Sequence, residues 1–145
     1  MKNGKTVVLC DMVADLFHYG HMSFIQKVRN HFDREIYLIV GIVQDDIGMY
    51  KRKPILTLEE RIDTVKISKL ADDVIITPVI MTCEFIDQYG IDFVAHGDDF
   101  NEEKCKQYYT DIYTTGRLIL LPYEKKHNIS TTAIINRITS IYCNK

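Results

Sequence analysis

Five short and almost uninterrupted hydrophobic runs, rich in β-branched residues, recur along the chain. They cover residues 6–10, 36–43, 74–76, 93–95 and 118–121. Near-continuous hydrophobicity, without strict alternation of polar and apolar positions, is typical of strands that are covered on both faces. The pattern therefore predicts five buried β-strands.

Between these runs, hydrophobic residues recur at helical spacing behind recognisable start signals. Thr57 is followed three residues later by Glu60, which is the pattern of a capping box. Thr82 and Ser130 are placed to cap two further helices, and the first of these is expected to stop at Gly90. Together with a helix between the first two strands, the pattern predicts four helices.

Strands and helices alternate along the whole chain, which predicts a single α/β domain over residues 1–145. The expected architecture is a three-layer, Rossmann-like fold with a parallel sheet of about five strands and helices on both faces. In such sheets, ligands bind outside the carboxyl ends of the strands. Candidate chemistry is therefore sought directly after each predicted strand.

The turn between the first strand and the first helix contains His18-Tyr19-Gly20-His21. Gly20 lets an anion approach the backbone closely, and free N–H groups of the first helical turn attract that anion. The two imidazoles add hydrogen-bond donors. The plain alternative is a pair of surface histidines at a helix start. We interpret the motif as a phosphate site, with His18 and His21 on phosphoryl oxygens.

A second candidate lies at the start of the last helix, directly after the last strand. Ile129-Ser130-Thr131-Thr132 places three hydroxyl groups in a row at a helix N-terminus, where the helix dipole is positive. Simple N-capping is the alternative interpretation. Asn128 precedes the motif, and asparagine tolerates the left-handed conformation that such a turn can demand.

Basic residues follow the second strand. Lys51, Arg52 and Lys53 are consecutive, and Arg61 lies in the next predicted helix. A short basic run is usually a solvated loop, but this run is predicted at the same edge of the sheet as the histidine motif. Four cations in one partly buried cleft suit a triphosphate, because each contributes several kcal/mol at about 4 Å.

The fourth strand is followed by His96-Gly97-Asp98-Asp99. Carboxylates accept hydrogen bonds from amino and hydroxyl groups, which suits recognition of a base or a ribose. The alternative is a metal site shared with the two histidines of the first motif. No spacing in the chain matches a zinc or two-metal signature, which disfavours metal-dependent hydrolysis.

Composition excludes several classes of protein. The 145 residues are 46% hydrophobic and 26% charged with a formal net charge of −2, so nucleic acid is not an expected partner. No apolar run approaches the roughly 20 residues of a membrane span, and no signal peptide is expected before the first strand. Four scattered cysteines without a Cys-x-x-Cys pair predict reduced thiols and a cytoplasmic location.

Taken together, the motifs resemble the cytidylyltransferase branch of the HxGH nucleotidyltransferase superfamily, and within it the glycerol-3-phosphate cytidylyltransferases. The resemblance is carried by Asp15, His18 to His21, Glu60-Arg61, Gly97 to Asp99, and Ile129 to Thr132. It implies transfer of CMP from CTP to a small phosphate monoester, of the glycerol 3-phosphate or phosphoethanolamine type. It also implies Mg²⁺ bound mainly through the CTP phosphates, and a homodimer.

Site residues follow from the motifs and the resemblance. The catalytic set is His18, His21, Arg61 and Lys53. The set expected to bind CTP is Val13, Ala14, Asp15, Gly20, Lys51, Arg52, Gly97, Asp98, Asp99, Lys125, Ile129, Ser130, Thr131 and Thr132.

Two segments depart from the family pattern. Met12-Val13-Ala14 stands where the family usually has Gly-Thr-Phe, and residues 125–128 stand where it usually has Arg-Thr-Glu-Gly. Lys125 would then supply a point charge in place of the forked guanidinium of arginine. Because both departures fall near places where an acceptor could bind, a phosphonate such as 2-hydroxyethylphosphonate is an alternative acceptor.

Other functions stay open at this stage. An adenylyltransferase would use the same histidines and would consume ATP instead of CTP. A metal-dependent phosphohydrolase would release inorganic phosphate, not pyrophosphate. A non-catalytic nucleotide-binding module would bind CTP and release no pyrophosphate with any acceptor.

Overall fold

The structure is a computed structural model that describes residues 2–45, 52–124 and 126–143. Its elements in chain order are β1 (Thr6–Met12), α1 (Tyr19–His31), β2 (Ile36–Val43), α2 (Leu58–Ser68), β3 (Asp73–Thr77), α3 (Cys83–Gln88), β4 (Phe93–Gly97), α4 (Glu102–Thr114), β5 (Leu118–Leu121) and α5 (Thr131–Tyr142). A short 3₁₀ turn at Lys126–Asn128 precedes α5.

The five strands form one parallel sheet in the order β3-β2-β1-β4-β5. The predicted five-stranded parallel sheet is confirmed. The chain runs outward from β1 to β3 and then returns to place β4 on the other side of β1. The strand order therefore reverses between β1 and β4, and this switch point is where open α/β sheets bind ligands.

Helices cover both faces of the sheet, as predicted. On one face, α1 and α2 bury side chains such as Phe24, Val28 and Val65 in one hydrophobic cluster. On the opposite face, α3 and α4 contribute Ile86 and Ile112 to a second cluster. The strands are buried between the two clusters, which explains their near-continuous hydrophobicity.

Helix α4 is the element that the sequence pattern does not predict. Its buried residues Cys105, Tyr109 and Ile112 stand at helical spacing, but charged and polar residues surround them. Thr110 also interrupts the helix with φ of 36° and ψ of −113°. Because the apolar stripe consists of one cysteine, one tyrosine and one isoleucine, ordinary hydrophobic periodicity does not reveal it.

The predicted helix starts are confirmed. Thr57 Oγ1 accepts a hydrogen bond from the Glu60 N–H at 3.2 Å, and the Glu60 carboxylate accepts one from the Thr57 N–H at 2.8 Å. Thr82 and Ser130 cap α3 and α5. Helix α3 ends just before Gly90, whose φ of 64° is the left-handed conformation that favours glycine.

None of the described helices has the length and hydrophobicity to cross a bilayer. All four cysteines lie in the described ranges as free thiols, and Cys10 and Cys105 are buried.

Replacing the α2 cap tests the local basis of this helix start. Thr57→Ala is expected to lower the free energy of unfolding by about 1 kcal/mol, because the Glu60 N–H loses its side-chain acceptor. Thr57→Ser keeps that acceptor and should stay within about 0.5 kcal/mol of the wild type. Urea denaturation followed by circular dichroism measures both variants, and equal stability of the two would contradict the capping role.

Candidate active site

Hydrogen bonds within the His18-to-His21 motif cap the N-terminus of α1. The His18 Nδ1 accepts a hydrogen bond from the Gly20 N–H at 3.0 Å, and the His21 Nδ1 accepts one from the His18 N–H at 3.2 Å. The two imidazole centroids lie 3.9 Å apart. This is a capping box built from two histidines. It confirms the predicted position of the motif at a helix start.

These hydrogen bonds determine where each imidazole carries its proton. Because both Nδ1 atoms accept from backbone N–H groups, the neutral rings of His18 and His21 carry their protons on Nε2. Burial lowers the pKa of His18. Burial, and then repulsion from His18 when that ring is protonated, lower the pKa of His21 to about 3. The two rings therefore stand as neutral N–H donors.

The N-terminus of α5 lies directly opposite this motif. The His18 Nε2 lies 3.3 Å from Thr131 Oγ1, and Thr131 Oγ1 donates to the Asp15 carbonyl oxygen at 3.0 Å. Because the Thr131 hydroxyl donates its proton to the Asp15 carbonyl oxygen, Thr131 Oγ1 is the acceptor for the His18 Nε2–H. Two motifs separated by about 110 residues are thus joined by hydrogen bonds, and two positive helix ends face one another.

A cleft runs along both sides of this contact. One cavity, of about 440 Å³, is lined by His18, Gly20, His21, Tyr123, Glu124, Asn128, Ile129, Ser130 and Thr131. The second, of about 410 Å³, is lined by Val13, Asp15, His21, Arg52, Pro54, Thr131 and Thr132. The two cavities share His21 and Thr131 in their linings, so they lie side by side, and together they are called the cleft. The structure therefore brings together most of the residues that the sequence assigned to CTP.

Asp15 faces inward and anchors the segment that follows β2. Its carboxylate accepts hydrogen bonds from the Ile55 and Leu56 N–H groups at 2.9 Å each, and Arg52 Nη1 lies 3.3 Å away. Burial by itself would raise the pKa of Asp15, but the two backbone donors and Arg52 outweigh it and hold that pKa below its ordinary value. The Asp15 carboxylate is thus occupied by protein donors.

Arg61 takes a position that the sequence did not predict. The sequence predicted a phosphate contact, but the Arg61 side chain is completely buried beneath the cleft. Its guanidinium donates to the carbonyl oxygens of Val13 at 2.9 Å and Val43 at 3.1 Å, and it pairs with Asp45. Arg61 therefore connects α2 to the ends of β1 and β2. It holds the segments that border the cleft, but its own side chain does not line the cleft.

The loop between β1 and α1 passes through an unusual conformation. Ala14 is fully buried with φ of 58°, a value that most residues with a side chain avoid. Val13 precedes it and lines the second cavity. Neither side chain brings a charged or hydrogen-bonding group to the cleft: Val13 adds an apolar surface to its wall, and Ala14 lines neither cavity.

The remaining predicted residues either line neither cavity of the cleft or lie outside the described residues. Lys51 and Lys125 lie outside the described residues. Lys53 is exposed on the segment after Arg52. Gly97 is buried at the end of β4, and Asp98 and Asp99 follow in an exposed turn.

A third cavity, which the sequence did not reveal, lies at the β1–β4 switch point. Tyr109 Oη donates to the Asp11 carboxylate at 2.8 Å and lies 2.7 Å from His96 Nδ1. Burial works against protonation of His96, but Asp11 and Asp99 outweigh it and raise the pKa of His96. A charged residue at the end of a buried strand, such as Asp11, is the signal that could have pointed to this cluster.

This third cavity has a volume of about 240 Å³, and its lining also includes Met12, Val13, Val43, Val79, Phe100, Lys104 and Tyr108. Val13 borders both this cavity and the second cavity of the cleft. The Lys104 Nζ stands 5.6 Å from the Phe100 ring centroid, so a cation already rests on this aromatic wall.

The fold and the cleft define a Rossmann-like α/β domain in which two helix N-termini and neutral imidazole donors meet, an arrangement that suits an anion. Residues 10–137 match a family model described as Cytidylyltransferase-like. Since this match covers most of the chain, the protein belongs to the cytidylyltransferase-like family.

Individual relatives agree with this assignment. The chain is 35% identical over 139 residues to choline-phosphate cytidylyltransferase 2 of Arabidopsis thaliana, covering 93% of this chain and 45% of the relative. It is 33% identical over 147 residues to a probable ethanolamine-phosphate cytidylyltransferase of Encephalitozoon cuniculi, covering 97% of this chain and 42% of the relative. The chain thus spans less than half the length of these curated relatives.

A solved structure shares the fold. The lipopolysaccharide core biosynthesis protein from Thermoplasma volcanium GSS1 superposes with a TM-score of 0.65 at 19% sequence identity, covering 83% of this chain and 99% of that chain. At this identity the similarity supports the fold alone.

The low pKa of His21 predicts a contribution to the pH dependence of folding. Between about pH 6.5 and pH 3, an unfolded chain protonates His21 while the folded protein does not. The stability of the folded protein therefore falls as the pH falls through this window. The contribution of His21 to that stability is fully present above about pH 6.5. His21→Gln keeps a backbone-accepting side chain that does not titrate.

Urea unfolding of the wild type and of His21→Gln at about pH 7.5 and about pH 5 measures this contribution. The wild type is expected to lose more stability between the two pH values than the variant. Equal losses in both proteins would show that the His21 pKa is not lowered.

Proposed function

We propose that the protein transfers CMP from CTP to a small phosphate monoester that carries an ammonium group, such as phosphoethanolamine or phosphocholine, and releases pyrophosphate. The observation that carries this proposal is the pair of Nε2–H imidazoles of His18 and His21 facing the N-terminus of α5 across one cleft. The names of the curated relatives support the same nucleotide and acceptor class.

The proposed reaction is an in-line substitution at phosphorus. A phosphate oxygen of the acceptor attacks the α-phosphorus of CTP and forms a new P–O bond. The bond from the α-phosphorus to the bridging oxygen breaks, and pyrophosphate leaves with that electron pair. Because the acceptor phosphate is already anionic near neutral pH, no general base is required. Catalysis is then positioning and stabilisation of charge.

The two imidazoles have a defined part in this proposal. Because burial lowers the pKa of both imidazoles, His18 and His21 are neutral near neutral pH, and we assign them as hydrogen-bond donors through their Nε2–H groups. His18 would exchange its contact with Thr131 for an oxygen on the α-phosphorus. Thr131 and Ser130 would then turn their hydroxyls, with the free N–H groups of α5, towards the neighbouring phosphate.

Cations would neutralise the leaving pyrophosphate. Arg52 lines the second cavity, and we assign it to the β- and γ-phosphates together with Lys51, Lys53 and Lys125. Within residues 2–45, 52–124 and 126–143, no three His, Cys, Asp or Glu side chains gather to hold a metal ion. We propose, as the family resemblance implies, that Mg²⁺ binds mainly through the CTP phosphates. The homodimer and the cytoplasmic location stay predictions.

The third cavity is the proposed acceptor pocket. Its Asp11 carboxylate supplies a negative charge, and Phe100, Tyr108 and Tyr109 supply aromatic walls, which is the chemistry that attracts an ammonium group. Glycerol 3-phosphate, the other acceptor type considered from the sequence, has no cation to use this chemistry.

A panel of substrates tests the proposal. With Mg²⁺ and CTP, pyrophosphate release is expected with phosphoethanolamine or phosphocholine at kcat/KM well above that with glycerol 3-phosphate or 2-hydroxyethylphosphonate. ATP replaces CTP in a parallel series. Preference for ATP, release of inorganic phosphate, or CTP binding without any pyrophosphate would each overturn the proposal in favour of the corresponding alternative class.

An Asp11 variant in the same assay tests the acceptor pocket. Asp11→Asn keeps the shape of the side chain but removes the charge, so it is expected to raise KM for the ammonium-bearing acceptor at least several-fold more than KM for glycerol 3-phosphate. Proportional changes for both acceptors would contradict an ammonium site at Asp11.

His21 is the second test of the mechanism. His21→Ala is expected to lower kcat by about 10²–10³, because one preorganised donor to the transition state is lost. His31→Ala, at the exposed end of the same helix, is the matched control and should retain wild-type kcat. Turnover of His21→Ala near that of His31→Ala would refute the assigned role, provided that circular dichroism shows both variants folded.

A further inference from the structure

Tyr123 occupies a place in the first cavity that the motifs do not explain. It lies just after β5, and its ring covers Gly97 at the end of β4. A Cβ atom added to Gly97 would lie 1.9 Å from the Tyr123 Cε2 and 2.3 Å from its Cζ. The ring therefore fills space that only a glycine at position 97 leaves open.

The Tyr123 ring packs against Phe24 on one side and is partly exposed on the other. The Phe24 ring of α1 lies 4.8 Å from it between centroids, at an interplanar angle of 39°. Phe24 is buried, but Tyr123 is 42% exposed. Part of the aromatic surface is therefore presented to the cavity that also holds His18 and His21.

The tip of Tyr123 lies in a negatively charged neighbourhood. Burial, and then the carboxylate of Asp99, raise the pKa of the Tyr123 hydroxyl, with further contributions from Asp11 and Asp98. The hydroxyl stays protonated throughout the neutral range. The ring thus combines an apolar face with a neutral hydrogen-bonding group near the Asp98-Asp99 turn.

The cavity has room for a nucleoside next to the phosphate site. Its volume of about 440 Å³ lies within the range of about 300–1,000 Å³ that small-molecule sites occupy. Among the described residues that line it, Tyr123 is the one large aromatic ring besides the two histidines. A nucleotide whose phosphates lie at the histidines would extend its base along this cavity.

We infer that Tyr123 is a base-contacting residue that sets nucleotide affinity: its ring stacks on the nucleobase, and Gly97 is required so that the ring can lie in that position. This inference rests on the proposed function, because it assumes a nucleotide at His18 and His21. Stacking of a base on an aromatic side chain contributes about 1–3 kcal/mol, or roughly 5- to 150-fold in affinity.

Comparing two ligands separates stacking from a general effect on the site. CTP carries a base, and inorganic tripolyphosphate carries only the phosphate chain. Tyr123→Ala is expected to weaken CTP binding by about tenfold and to change tripolyphosphate binding by less than about twofold. Tyr123→Phe keeps the ring and should bind both ligands nearly as the wild type does. Isothermal titration calorimetry with Mg²⁺ measures all the affinities.

The outcomes distinguish this inference from the proposed function. If the wild type binds CTP and Tyr123→Ala binds it equally well, or loses both ligands in proportion, the role of Tyr123 is refuted and the proposed function stands. If the wild type does not bind CTP, the proposed function fails and the inference fails with it. Retained tripolyphosphate binding shows that the variant is folded.

A double-mutant cycle tests the role of Gly97. Gly97→Ala is expected to weaken CTP binding several-fold, because the new methyl group displaces the Tyr123 ring. In the Tyr123→Ala background the same change should have little further effect, since the displaced ring is absent. Additive losses would show that Gly97 acts independently of Tyr123 and would overturn that part of the inference.

Discussion

The hydrogen bonds that join His18, Thr131 and Asp15 hold the cleft together. They place the N-termini of α1 and α5 opposite each other, although both ends carry partial positive charge and are not attracted without an anion between them. The imidazole and hydroxyl groups that bridge this gap are also donors that can turn towards a phosphate. The same side chains therefore shape the cleft and suit it to bind an anion.

Two buried charged side chains, those of Asp15 and Arg61, stabilise this arrangement. Asp15 and Arg61 would destabilise the fold if they were unpaired, but protein groups satisfy both of them. Their partners converge on one segment, because Leu56 donates its N–H to Asp15 and accepts from Arg61 with its carbonyl oxygen. The loop after β2 and the loop after β1 are thereby fixed relative to each other, and both border the cleft.

The departures from the family pattern have local physical consequences. His127 and Asn128 both adopt left-handed conformations, with φ of 66° and 48°, where the family usually has glutamate and glycine. Asparagine tolerates this conformation better than most residues, which explains a non-glycine residue at position 128. His127 also makes an edge contact with Tyr19, whose centroid lies 5.3 Å away. The altered turn therefore still reaches the histidine motif.

Local signals in the sequence determined the strands, the caps at Thr57 and Ser130, and the position of His18 and His21 at a helix start. These features depend on residues within a few positions of one another. Helix α4 and the pairing of Tyr109 with Asp11 did not follow from the sequence, since this pair is separated by 98 positions and neither residue belongs to a recognisable motif. The tertiary structure also turned Arg61 beneath the cleft and placed Tyr123 over Gly97. Packing decides such contacts, because they require elements to meet that share no local pattern.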